Sequence, residues 1–129
     1  MASQNKPSIA ICESDHDRLS QLAERSSAGN PAVADILFAE LDRARVVPDG
    51  ELAPSVVRMG SKLRYRTDAG GSRAVQLVYP PEADIDAGRI SILTPIGAAL
   101  IGLAPGQSID WRTVDGRTQV LTVESVAQA

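Results

Sequence analysis

Gly88-Arg89-Ile90-Ser91-Ile92-Leu93-Thr94-Pro95-Ile96-Gly97-Ala98-Ala99-Leu100-Ile101-Gly102 is the stretch whose reading decides the fold. Its first part, Arg89 to Leu93, is short and rich in β-branched residues, the composition of a strand. Thr94-Pro95 then has the form of a helix cap followed by proline at the first helical position, where a missing N–H is harmless. Ile96 to Ile101 is small and apolar, and Gly102 ends it. Ala104-Pro105-Gly106-Gln107 forms a turn that leads into Ser108-Ile109-Asp110-Trp111-Arg112, a strand in which Ile109 and Trp111 share a face. A strand, a short helix and a second strand therefore follow one another with almost no linker.

Working outward, Asp115-Gly116 is a tight-turn pair, and Thr118 to Ser125 supplies the last strand. On the other side the period is two from Val56 onward. Val57, Met59, Leu63 and Tyr65 take one face, while Arg58, Lys62, Arg64 and Arg66 take the other, which predicts a half-buried antiparallel strand with a solvated cationic row. Asp68-Ala69-Gly70-Gly71 makes a turn. Val75, Leu77 and Tyr79 continue on a second strand that Pro80-Pro81 breaks, before an acidic loop leads back to Arg89.

The period is helical nearer the N-terminus. After the apolar run Ser8 to Cys12, Ser14-Asp15-His16-Asp17 has the S-x-x-D form of a capping box and predicts a helix start, with Glu13, Asp15 and Asp17 as ordinary first-turn carboxylates. Leu19, Leu22, Ala23 and Ser26 recur at three and four residues. Gly29 is read as the stop, Asn30 as the next cap and Pro31 as the first residue of a second helix, on which Val33, Ile36, Leu37, Leu41 and Ala44 are periodic. Arg43 and Arg45 complement its C-terminal dipole and Pro48-Asp49-Gly50 ends it. The fold class is α+β: a short antiparallel helical hairpin over residues 1–50, a coiled-coil finger with arms roughly 20 Å long, and an antiparallel sheet with one short helix over 51–129.

Composition narrows the function. The 129 residues carry a formal charge of −3, and Phe38, Tyr65, Tyr79 and Trp111 are the whole aromatic set. Independent binding to nucleic acid is therefore disfavoured, since it draws on a basic excess and stacking platforms. A single cysteine, Cys12, excludes an internal disulfide framework, and with one histidine, His16, it cannot build a typical zinc site. No metal or cofactor is expected, nor any membrane contact; the chain reads as cytoplasmic. Cys12 reads as a buried small hydrophobe, His16 as exposed, and Tyr79 and Trp111 as core or rim residues of the sheet.

Gly88 to Gly102, followed by Pro105-Gly106-Gln107-Ser108-Ile109, resembles the signature of the C-terminal domain of GreA and GreB, the transcript-cleavage factors. Ala34-Asp35, Ala39-Glu40-Leu41-Asp42-Arg43-Ala44, Leu77-Val78-Tyr79-Pro80 and Pro95-Ile96-Gly97-Ala98-Ala99-Leu100 resemble more closely the pattern of the Rnk (regulator of nucleoside diphosphate kinase) family, related to the Gre factors. The resemblance implies an FKBP-like sheet over roughly Val56 to Val126. It also implies a non-catalytic regulator that binds RNA polymerase at the rim of the secondary channel and can compete with Gre factors. The family name adds regulation of nucleoside diphosphate kinase, read as an indirect effect.

By the same resemblance, Leu93, Thr94 and Pro95 are the residues that receive a coiled coil of the polymerase β′ subunit. Leu93 departs from the Gre pattern, where an acidic residue is usual, which implies a more apolar contact centred on an exposed leucine. The finger tip is Ala28, Gly29 and Asn30. Gre factors hold a catalytic magnesium ion with acidic residues at the tip of a longer hairpin, whereas Ser27 to Pro31 contains no carboxylate. The alternative, Gre-like stimulation of transcript cleavage, would have to use Glu24 or Asp35, about one turn back along the arms. Peptidyl-prolyl isomerase activity, suggested by the fold alone, lacks an aromatic pocket.

Overall fold

The computed structural model describes residues 8–68, 70–112 and 116–127, without the side chains of Trp111 and Arg112. The face expected to be shared with Trp111, and the turn positions Ala69 and Asp115, lie outside the described residues. The element order is β1 (Ala10–Cys12), α1 (Glu13–Ser26), α2 (Pro31–Arg43), β2 (Arg45–Val47), β3 (Lys62–Thr67), β4 (Ser72–Val78), β5 (Arg89–Ser91), α3 (Pro95–Leu100), β6 (Ser108–Arg112) and β7 (Thr118–Ala127). It is a mixed α+β fold with two long helices and a sheet.

The five-stranded sheet has the order β5-β4-β3-β7-β6. Its alternation is the expected one: Leu63 and Tyr65 are buried while Lys62, Arg64 and Arg66 are exposed. The strand begins later than the period suggests. Residues 56–61 form a turn in which Arg58 N–H donates to Ser61 Oγ at 2.9 Å, and Val57 exchanges backbone hydrogen bonds with Gly102 and Leu103. Val57 is buried all the same, but Arg58 and Met59 are both half-buried, so the alternation does not extend onto this turn.

Contrary to the expected antiparallel sheet, β5 runs parallel to β4 with Leu77 opposite Ile90. The cause is the acidic loop. Short 3-10 turns at Pro80–Glu82 and Ile85–Ala87 and a bridge between Asp84 and Arg89 carry the chain back along the edge, so it re-enters in the same direction. A second, two-stranded sheet joins β1 and β2 in parallel, with Ile11 opposite Val46.

Leu19, Ala23, Leu37 and Leu41 from the long helices lie in one buried cluster with Leu63, Leu77, Leu100 and Leu121 of the later elements. Full burial of each leucine contributes about 2 kcal/mol. Two helix signals differ from expectation. The N-cap of α1 is Cys12 and no side chain of the capping box is used; Ser14 N–H donates instead to Asp49 Oδ1 at 3.0 Å, a carboxylate from the turn after β2. Asn30 is the N-cap of α2 without a side-chain cap bond, and Gly29 is not among the glycines with positive φ. The first helix therefore ends through backbone bonds from Gly29 and Asn30 to Ser26 O, not through a left-handed glycine.

His16 also differs. It is half-buried, with Nε2 3.0 Å from Leu41 O. A carbonyl only accepts, so Nε2 carries the proton, and the start of α1 is tied to the end of α2.

Candidate functional site

The loop from Ser91 to Pro95 is built by local hydrogen bonds. Ser91 Oγ accepts from Leu93 N–H at 2.9 Å, and Thr94 Oγ1 donates to Ser91 O at 2.7 Å. The same Thr94 oxygen accepts from Gly97 N–H at 3.1 Å and so caps α3, with Pro95 at its first position. Ile92, fully buried, donates its N–H to Val78 O at 2.9 Å and fastens the loop to β4.

Gly97 makes this closure possible. A Cβ there would collide with Ser91 O and lie 2.9 Å from Thr94 Oγ1 and 3.1 Å from Ile92 Cα. The loop and helix can approach only because residue 97 has no side chain.

Leu93, Thr94, Pro95 and Ile96 are all half-buried. Leu93 and Ile96 also pack against the core, so Leu93 is not the freely exposed leucine expected; it offers one edge while the rest is held. Such a surface is preorganised, because little side-chain entropy remains to be lost on contact.

At the other end, Ser27, Ala28, Gly29 and Asn30 are exposed, as are Glu24 and Asp35 on the adjoining helical turns. Among the described residues no group of three or more His, Cys, Asp or Glu side chains is placed to hold a metal ion. No described helix is long and apolar enough to cross a membrane.

Sequence reasoning missed the place of Asp15 and Tyr79. Asp15 is buried, and its Oδ2 accepts from Met59 N–H at 3.1 Å, joining α1 to the turn before β3. Tyr79 follows the residue that fastens the loop. Among the described residues its buried hydroxyl has no hydrogen-bond partner in good geometry, while the Arg18 guanidinium lies over the ring, 5.9 Å from its centroid, and bears on the phenol oxygen. Burial first, then the Asp15 charge, push the Tyr79 phenol above its ordinary pKa, against the opposing influence of Arg18. An unpartnered buried hydroxyl leaves no trace in a sequence pattern.

Residues 52–128 match the model of the GreA/GreB transcription elongation factor C-terminal domain, and residues 7–47 match the Rnk N-terminus. The chain is 35% identical over 129 residues to the regulator of nucleoside diphosphate kinase of Escherichia coli K12, covering 97% of this chain and 95% of that protein. It is 34% identical to transcription elongation factor GreA of Rhodospirillum rubrum, covering 90% and 80% of the two chains. Among solved structures, a GreA/GreB elongation factor from Nitrosomonas europaea superposes with a TM-score of 0.73 at 40% identity, covering 95% of this chain and 99% of that one.

Proposed function

Because the chain belongs to the family that joins an Rnk N-terminal region to a GreA/GreB-type C-terminal domain, we propose that it is a non-catalytic transcription regulator that binds RNA polymerase at the rim of the secondary channel. There it competes with Gre factors. In this reading residues 51–129 form an FKBP-like docking domain, and residues 1–50 form a short coiled-coil finger directed into the channel. Leu93, Thr94 and Pro95 receive the coiled coil of the polymerase β′ subunit. Any effect on nucleoside diphosphate kinase follows indirectly, through transcription.

The observation that carries the reading is the clamped loop from Ser91 to Gly97, which holds apolar edges of Leu93, Pro95 and Ile96 in a fixed arrangement. A rigid, partly apolar patch is what a protein partner needs at the centre of an interface. The tip supports the absence of cleavage chemistry, because Ser27, Ala28, Gly29 and Asn30 bring no carboxylate to hold a hard cation.

The test is competition between this protein and a Gre factor for bacterial core RNA polymerase, with Leu93→Asp and Pro95→Ala alongside. Mutual displacement, weakened by both substitutions, is the expected result. Binding that leaves the Gre factor in place removes the shared-rim reading. Cleavage in backtracked complexes, lost in Glu24→Gln or Asp35→Asn, would establish the Gre-like alternative in its stead.

A further inference from the structure

We propose that the cleft between α1 and the end of β4 is an oxyanion site for a phosphate group. Arg18, Gln21, Leu22, Arg25 and Tyr79 line it. The four helical residues stand at spacings of three, four and seven, so they share one face of α1 over two turns. Tyr79 closes the cleft from the sheet side.

Charge and hydrogen bonding point the same way. Among the described residues no carboxylate lines the cleft, and Asp15, whose charge acts on Tyr79, is committed to Met59 N–H. Arg18 and Arg25 form no ion pair among the described residues. Tyr79 Oη is buried and, among the described residues, no acceptor meets its proton, since Arg18 beside it can only donate; that state is unfavourable unless something supplies an acceptor. Two guanidinium groups and the Gln21 amide thus offer donors at the surface of the cleft, and the phenol lies beneath them as a donor that a shift of Arg18 off the ring would open.

A tetrahedral oxyanion fits this arrangement better than a carboxylate. The two coplanar oxygens of a carboxylate match one arginine fork, whereas a phosphate keeps further oxygens for the second arginine and the phenol. The volume is about 230 Å³, below the roughly 300–1,000 Å³ of ordinary ligand pockets, so it suits the anionic group and not a whole nucleotide.

Calorimetric titration of the full chain with inorganic phosphate, and separately with a phosphoserine peptide of otherwise neutral sequence, tests the site. Saturable binding is expected, weakened about tenfold or more by Arg18→Gln or Arg25→Gln and about threefold or more by Tyr79→Phe. Arg64→Gln, on the exposed face of the sheet, removes the same charge and should leave binding unchanged. Tyr79→Phe keeps the ring and its volume, so circular dichroism should show an intact fold. Tighter binding of the peptide assigns the group to a phosphorylated polypeptide, and equal or weaker binding assigns it to a free ion. Absence of saturation by either probe at millimolar concentration, or an equal loss in Arg64→Gln, overturns the proposal.

Discussion

The Asp15 carboxylate and the Met59 amide are 44 positions apart in the chain yet meet at 3.1 Å, with Asp15 only 8% exposed. A helix-start acid that would ordinarily serve its own helix is used to hold the turn leading into β3. Replacing Asp15 with Ala leaves the Met59 N–H without its acceptor, a loss of about 1–3 kcal/mol. Asp15→Asn keeps an acceptor oxygen and should lose less than half as much. Urea unfolding checks this; a shifted midpoint at unchanged slope is expected. Equal losses in the two variants would mean that charge, not the hydrogen bond, matters.

Gly97 is the second point where one atom decides a structure. Gly97→Ala forces Ser91 and Thr94 apart, because the new methyl group occupies the space of Ser91 O and crowds Thr94 Oγ1. Overpacking of this kind typically costs about 1–3 kcal/mol. Thermal unfolding should report that loss, and, if the proposed docking role of Leu93-Thr94-Pro95 holds, polymerase binding should fall beyond what the stability change explains. Gly106→Ala is the comparison, because a Cβ there meets nothing within 4 Å and only its φ of +87° is strained.

How far the sequence carries depends on range. The cap at Thr94, the proline start of α3 and the alternation of Leu63 and Tyr65 are local, and each is visible within a few residues. The parallel pairing of β1 with β2 is not, because three-residue strands have no period to read. The capping box at Ser14 misleads for a related reason: Asp49, far along the chain, competes for the same N–H. His16 and Asp15 find their partners on other elements, so tertiary contacts overrode their helix-start meaning. For the candidate site, Leu93, Thr94 and Pro95 came from the Gre and Rnk resemblance, whereas the Tyr79 cleft depends on burial that no pattern records.

The Asp49 cap gives a pH dependence with a definite sign. Hydrogen bonds from Ser14, backbone first, hold the Asp49 carboxyl below its ordinary pKa, and the nearby Arg58 charge adds to this. A lowered folded-state value favours the folded state once the unfolded chain's aspartate has ionised, above about pH 4. That contribution disappears as pH falls through the lowered value. Asp49→Asn should therefore be less stable than the parent protein at neutral pH, and the difference should shrink as pH falls through the lowered value. Denaturant titrations at neutral pH and in progressively stronger acid measure it. A difference that persists in acid would assign the effect to packing of the turn.

Glu40 is 2% exposed on α2, and Arg43 approaches it with Nε at 3.0 Å and a terminal nitrogen at 2.7 Å from the same oxygen. A buried carboxylate that loses its cation keeps its desolvation penalty without the compensating attraction. Arg43→Ala should accordingly destabilise by about 3 kcal/mol or more. The double variant Glu40→Leu with Arg43→Met removes the charge and fills similar volume, so it should recover most of that loss. Unfolding of Glu40→Leu, of Arg43→Met and of the double variant gives the coupling directly. Additive losses would show that Glu40 is held by its other neighbours, with Arg43 an onlooker; strong coupling would make the pair the anchor of the last turn of α2.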